Sequence, residues 1–462
     1  MARPSAFARA RIAIARAIAP DAVRRFDAAS GSRRFGRESH FGSTSTEALA
    51  AAPAVRGRGR YLYNNNSYAH AGVEAIVDNA AGTGITPTPT HPDPDVRAAI
   101  SAEWNRFMKR ADADGMTDGP GVWANAVRAL VTDGEAFLQI VETRMGPKLR
   151  LIPAEMVDEA KTADLGDGRY IVAGVEFNAA GERVAYWVMP MKPTDVVTYA
   201  PSIRIPASDI LHLMAPIGAG QVRGVSWLAP VLLRLSEIDG LEDALLAGFK
   251  VAALHAAFLV DLNGTSDVPY DADESGLVTG LEPGTMKRIP PGMDIKFNSP
   301  QQAIQSTEYL KAQIHAVAAG LGVPFHLVSS QVGEANYSSL RAAMLAFRAR
   351  IERIQYSCII PCMARYYERF VTSAILSGRI KAPDFESNMA DYLDAEYIPC
   401  AMEWVDPAKD IQATKEAIES GLMSRRQAVS ALGWNIEALD SEIAADRERE
   451  KALGLTFNAP KT

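Results

Sequence analysis

The chain has 462 residues, 48% of them hydrophobic and 22% charged, which is ample for a large core and long for one domain. Its formal charge of −7 is uneven: residues 1–60 carry 12 Arg, no Lys and four acids, a formal +8, which leaves −15 for residues 61–462. An acidic body argues against ordinary tight DNA binding, which needs neutralised phosphates, and no apolar run reaches the roughly 18 residues that would span a membrane. The opening MARPSAFARARIAIARAIAP imitates a transit peptide. With the basic charge of residues 1–60 and the Gly, Ser and Arg of 31–60, it reads instead as a flexible or surface-bound arm that meets an acidic partner. Helices are predicted over Ser67–Ala80, Asp95–Lys109 and Val122–Asp133. Strand-like runs follow over Ala136–Val141, Lys148–Ile152, Tyr170–Phe177 and Arg183–Met189, the last two joined as a hairpin by Asn178–Gly181. This half reads as an α+β body.

After Ser226 an apolar-rich helix is predicted to run to about Val260, with Pro230 tolerated in its first turn and a length of roughly 45–50 Å. A Gly/Pro/Asp-rich segment, Asp261–Pro300, carries strand signals near Gly276–Thr279, Met286–Ile289 and Asp294–Phe297, and a second helix covers Gln302–Leu321. A structureless loop of that length is unusual, so the pattern reads as a helical stalk with a small α/β cap. The stretch GVPFHLVSSQVGEANYSSLRAAMLAFRARI then places a polar loop, Ser329–Asn336, between rigid elements, the usual way to present a loop to a ligand. Asn336, Ser338 and Ser339 can cap the next helix, whose seam is Leu340, Met344, Phe347, Ile351 and Ile354. Pro361 predicts a kink. Helices over Asp406–Gly421, Ser424–Gly433 and Ile436–Leu453 close the chain, with Ser424 as an N-cap.

No constellation for bond chemistry is legible. There is no Gly-x-x-x-x-Gly-Lys-Ser/Thr loop, and Gly218, Gly220 and Gly224 are not spaced as a dinucleotide fingerprint. The seven histidines have no metal-ligand spacing, and His212 in its apolar run reads as a core residue. Ser226 lacks the second glycine of a nucleophile elbow and reads as a helix cap. Cys358 and Cys362, four apart on one helix, read as packing residues, with Cys400 as a third lone thiol. Glu237, Asp239, Glu242 and Asp243 cluster on the first long helix as an acidic face; convergence on metal ions would be required for nuclease chemistry. No cofactor, metal site or catalytic residue is assigned.

The residues NYSSLRAAMLAF after the Gly-Val-Pro turn resemble the lambda-type bacteriophage portal family. So do YNNNSYAHAGVEAIVDNAAGTGITPTP (Tyr63–Pro89), RIPASDILHL (Arg204–Leu213), GQVRGVSWLAPVL (Gly220–Leu232), GVEFNAAGERVAYWV (Gly174–Val188) and the run from Trp404 to Glu448. The matches span roughly Tyr61–Leu455, and their order is what makes them specific. Gly218 and Ala219 stand where an Arg often precedes Gly-Gln, and the loop before Asn336 lacks a common Asp.

The resemblance implies an α+β portal-type fold: a basic arm (1–60), a wing (61–225), stem helix 1 (226–260), a clip (261–301), stem helix 2 (302–326), a tunnel loop (327–337), a kinked long helix with the wing return (338–405) and a crown (406–462). It implies a dodecameric ring at one capsid vertex of the virion, assembled in the bacterial host cytoplasm. Double-stranded DNA would pass through it without sequence readout, during packaging and ejection. The implied partners are the major capsid protein, the terminase large subunit and head-tail adaptor proteins. Ser329, Ser330, Gln331, Val332, Gly333, Glu334, Asn336 and Tyr337 would line the narrowest passage, and Glu237, Asp239, Glu242 and Asp243 would form a negative stem wall along which DNA slides. The rival expectations are a DNA-processing enzyme, such as a nuclease or a packaging motor subunit, and a monomeric adaptor.

Overall fold

The structure is a computed structural model that describes residues 42–190, 200–253, 257–261, 293–297, 302–333, 337–401 and 407–455. Most of the predicted arm, the strand signals near Gly276–Thr279 and Met286–Ile289, and the loop residues Glu334 and Asn336 lie outside these.

The first described helix, α1 (Thr44–Asn65), corrects the expectation of flexibility up to Arg60. Its buried face is made of Ala48, Ala52, Arg56, Gly59 and Leu62, of which only Leu62 is a large apolar residue, so it leaves little periodic signal. Two arginines fix it to the body. Arg60 donates to Asp133 at 2.6 and 2.8 Å and to Glu155 at 2.7 and 2.8 Å, and Arg56 pairs with Glu159. The hydrogen bonds from Asp133 and then Glu155 hold the Arg60 guanidinium well above its ordinary pKa.

Helices α2 (Ser67–Ala80), α3 (Pro94–Met108) and α4 (Gly119–Asp133) match their predictions to within a few residues. Asn66 caps α2 by accepting from Ala69 N–H at 2.8 Å, and Asp93 and Asp118 cap the other two. Between α2 and α3 lies the short strand β1 (Thr86–Pro89). Strands β2 (Glu135–Thr143) and β3 (Gly146–Ile152) form a hairpin, and β9 (Ile210–Met214) joins the other edge of β2. A second antiparallel sheet runs in chain order through β4 (Ala163–Gly166), β5 (Arg169–Val172), β6 (Val175–Phe177), β7 (Arg183–Val188) and β8 (Ile203–Pro206). The single strand expected over Tyr170–Phe177 is thus two, because Ala173 (φ +47°) and Gly174 (φ +81°) turn the chain back. Phe137, Ile152, Val157, Val175, Tyr186, Val188 and Ile210 pack together in a core that links the two sheets.

The long helix α5 (Leu232–Ala253) is shorter than expected, about 33 Å at 1.5 Å per residue. It starts late because the chain turns through Trp227–Val231, which leaves Pro230 ahead of the helix. Beyond it, β10 (Ala257–Asp261) pairs antiparallel with β11 (Met293–Phe297), and α6 (Gln302–Leu321) returns as predicted. Among the side chains described, the buried ones lie at the body ends of these two helices: Leu232, Leu235 and Ile238 on α5, and Ile314, Val317, Ala318 and Leu321 on α6. Arg234 donates to Gln313 between them at 2.6 Å.

Next come α7 (Phe325–Ser329) and α8 (Tyr337–Ile354), whose predicted seam is realised, with Phe347, Ile351 and Ile354 fully buried. Beside Pro361, where a kink is expected, the helix passes through a π turn, Gln355–Ile359, and Pro361 then sits in the first turn of α9 (Ile360–Leu376). Gln355 is buried and its side-chain amide donates to the carbonyls of Asn79 (3.2 Å) and Ala80 (3.1 Å), closing the end of α2. Cys358 and Cys362 are buried and unbridged, as packing residues should be, and burial pushes the Cys362 thiol up to about 12. A short helix, α10 (Met389–Leu393), leads into β12 (Ala395–Ile398), which pairs with β1. Helices α11 (Pro407–Glu419), α12 (Arg425–Ala431) and α13 (Ile436–Leu453) end the described chain. Ser424 forms the predicted cap, with Gln427 completing a capping box.

The segment leading into α5 is locked to the body by one buried side chain. Arg223 is 1% exposed; its Nε donates to Glu135 Oε1 at 2.8 Å, and its terminal nitrogens donate to the carbonyls of Ala154 (2.8 Å), Ala173 (3.0 Å) and Val157 (3.3 Å). Glu135 also accepts from Gly224 N–H at 2.8 Å. A Cβ on Gly224 would stand 2.2 Å from the Gly134 carbonyl oxygen, so two backbones cross here with no room for a side chain. His212 completes the network: Tyr186 donates to its Nδ1 at 3.3 Å and its Nε2 donates to Glu135 at 3.1 Å, the pattern of a neutral ring. It is the core histidine its apolar run predicts. Burial opposes ionisation of Glu135, but Arg223 and the His212 hydrogen bond outweigh it and hold the carboxyl at about 2. Burial pushes His212 the other way, below its ordinary 6.5, and Glu135 only partly offsets this.

Replacing Glu135→Gln leaves the buried Arg223 charge with only the partly exposed Glu159 carboxylate at 3.3 Å, and should cost about 3 kcal/mol in denaturant unfolding. The pH dependence has one sign. Both folded pKa values lie below the unfolded ones, so the unfolded chain binds more protons and stability falls on acidification. The His212 contribution is lost as pH drops below 6.5, and that of Glu135 between 4.5 and about 2. The thermal midpoint should therefore fall between pH 7 and 5.5, and His212→Gln should flatten that slope.

Candidate functional site

Two features carry the expected function: the loop between α7 and α8, and the acids of α5. Sequence alone places the loop start at Leu327. The structure continues the fold for one more helical turn, because α7 seats buried Val328 beside α2 at Gly72, where Leu321 and Val328 approach the backbone. His315 of α6 stacks on Phe325 with centroids 3.8 Å apart, which ties α7 to the returning helix as well. The free loop therefore begins at Ser330. Ser329 belongs to the helix, its hydroxyl donating to the Phe325 carbonyl at 2.9 Å and accepting from Gln331 N–H at 3.2 Å. Ser330 ends α7 in the left-handed conformation (φ +58°), donating its N–H to the His326 carbonyl at 2.9 Å. Ser330, Gln331, Val332 and Gly333 are exposed, and Val332 keeps 59% of its surface in solvent. Tyr337 opens α8.

The four acids do not share one face. At about 100° per residue, Asp239, Glu242 and Asp243 fall within one sector of α5, and Glu237 projects to the opposite side. Two of the four are bound within the chain. Asp239 accepts from the Asn66 side-chain amide at 2.6 Å, and Glu242 accepts from the Tyr68 hydroxyl at 2.8 Å. Burial, and then the Glu242 hydrogen bond, push the Tyr68 hydroxyl up to about 12. Glu237 and Asp243 are exposed. Asn66 thus caps α2 and holds α5 with the same side chain. Its partner lies 173 residues away in the chain, which leaves no signal in the sequence. Ser226 differs in a similar way from its reading as a helix cap. Its hydroxyl accepts from Leu228 N–H at 3.2 Å and donates to the Val131 carbonyl at 3.3 Å, so it fastens the turn before α5 to α4.

Among the described residues no group of three or more His, Cys, Asp or Glu side chains is placed to hold a metal ion, and no helix is long and apolar enough to cross a membrane. Beside α8, Arg341, Met344, Leu345, Asp410, Ala413 and Thr414 line a cleft of about 250 Å³ against α11, bridged by the Arg341–Asp410 ion pair at 3.3 Å. These surfaces can offer polar and charged contacts to a passing or docking macromolecule.

The chain is 25% identical over 381 residues to the probable portal protein of Halomonas phage phiHAP-1, covering 79% of this chain and 72% of that one. It is 21% identical over 364 residues to portal protein B of Escherichia phage lambda, covering 70% of this chain and 67% of that one. Among solved structures it is similar to a chain in the neck of a native GTA particle computed with C12 symmetry, at a TM-score of 0.48 and 15% identity, covering 83% of this chain and 93% of that one. The family described as phage portal protein, lambda family, matches residues 31–355, more than half of the chain. The protein belongs to that lambda family of phage portal proteins.

Proposed function

We propose that the protein works as a ring at one vertex of a phage capsid, with double-stranded DNA passing through its centre during packaging and ejection. The observation that carries this reading is the pair α5 and α6, in a chain of the portal family: two antiparallel helices whose buried side chains, among those described, lie at their body ends. Leu246 and Phe249 on α5 and Tyr309 on α6 stay 47–58% exposed. Neither helix covers its apolar surface within one copy, and neighbouring copies in a closed ring would cover it. In this reading residues 61–225, with returning pieces to about 405, are the wing, α5 and α6 the stem, 261–301 the clip, 327–337 the tunnel loop and 406–462 the crown. The role is structural and not enzymatic. Twelve copies, docking of the terminase large subunit, and contacts with head-tail adaptors and the major capsid protein complete the proposal. The place of action is the virion, with assembly in the host cytoplasm.

Function then lies in geometry and charge. The exposed run from Ser330 to Gly333 suits many weak contacts to a moving phosphate backbone, with no base readout. Deleting Gln331 to Glu334 should leave ring formation unchanged in mass photometry. Packaging of DNA into heads by the same variant should drop at least tenfold, and normal packaging would move the function elsewhere.

Exposed acids on the stem would keep DNA from sticking. Glu237 and Asp243 are the informative pair, because Asp239 and Glu242 also hold Asn66 and Tyr68. Glu237→Lys combined with Asp243→Lys should slow DNA translocation in a single-molecule packaging assay while rings still form. An unchanged rate would remove these two acids from the channel wall.

A further inference from the structure

Helix α8 carries two arginines one turn apart, Arg350 and Arg353. Arg350 is half-buried. Its guanidinium lies 5.9 Å from the centre of the Trp227 ring and directly above Gly322, where a Cβ would fall 1.5 Å from Nη1. Gly322 also has φ +64°, so the backbone and the guanidinium both require the missing side chain. The Arg350 Nε is buried without a hydrogen-bond partner. Neither Arg350 nor Arg353 has a carboxylate within salt-bridge distance among the described residues. Other arginines that pack into the body, Arg56, Arg60, Arg223 and Arg341, meet acids. Burial, and then the nearby Arg353, push the Arg350 pKa below its ordinary value, so the isolated chain holds this charge at a cost.

We propose that Arg350 and Arg353 receive a carboxylate side chain from a second copy of this chain, forming an ion pair across the subunit interface; the inference rests on the ring reading above. A guanidinium held 5.9 Å from the centre of an indole and fixed over a glycine is preorganised, which suits a buried interface pair better than a mobile phosphate contact. A ring of identical chains also supplies the anion, since residues 61–462 carry a formal −15. A DNA-binding site would need a larger set of exposed cations to release counterions.

The test compares the full-length wild type with Arg350→Gln, Arg350→Lys and Arg353→Glu by native mass spectrometry over a range of concentrations and salt, with thermal unfolding as the folding control. Arg353→Glu is the variant that decides if Arg350→Gln fails to fold, because Arg353 is exposed. The expected result is that Arg350→Gln and Arg353→Glu need at least tenfold more protein for half-assembly, and that Arg350→Lys recovers part of the loss. Added salt should weaken wild-type assembly more than that of Arg350→Gln. Folded variants that assemble at the wild-type concentration overturn the proposal, as does unchanged assembly with weaker retention of a short DNA duplex, which would assign the pair to phosphate. If the wild type itself forms no ring, the ring reading fails first.

Discussion

The ion pair between Arg223 and Glu135 is the constraint on which the architecture depends. An arginine taken wholly out of water is tolerable only where every donor is used and a charge opposes it. Here one guanidinium ties together the start of β2, the turn after β3, the β5–β6 turn and the segment that launches α5. Because Glu135 also takes the Gly224 amide, the backbone entering α5 is fixed at the point where it crosses Gly134. Strain or movement in the sheets would therefore be passed to the base of the helix pair through a contact with little room to adjust.

Around that junction the chain builds a second layer of anchors from residues far apart in sequence. Asn66 and Tyr68 hold α5 through Asp239 and Glu242, Gln355 closes α2 from the π turn, and Arg60 binds α1 through Asp133 and Glu155. The body ends of α5 and α6 are thus rigid while their far ends carry exposed apolar side chains. A rigid base and an uncovered shaft make sense for a subunit that finishes its packing against copies of itself. The described loop residues, Ser330 to Gly333, follow directly on α7, which is seated on α2.

Much of this was legible in the sequence, and the misses have physical reasons. Ser67–Ala80, Gln302–Leu321 and Ile436–Leu453 were read to the residue, because a cap or a turn bounds a clear apolar period. Helix α1 was missed because its buried face is alanine and glycine and its arginines looked like a free basic run until Asp133, Glu155 and Glu159 paired them. Helix α7 is five residues long and owes its place to the contact near Gly72, so its sequence read as loop. The acidic face was overdrawn: clustering in sequence suggested one wall, but helical geometry sends Glu237 away from the other three. The family was legible from the order of its motifs, and several of them, such as GQVRGVSW and YNNNSYAH, supply the anchors at the base of the α5–α6 pair.

The central claim is that copies of this chain close into a ring whose narrowest passage is formed by the loop after α7. Electron cryomicroscopy of the purified full-length assembly tests it most directly. The predicted map is a closed ring with Ser330 to Gly333 from every copy projecting into the central hole and with α5 and α6 packed against neighbouring stems. Monomers or open filaments only, or a ring carrying this loop on its outer wall, would contradict it.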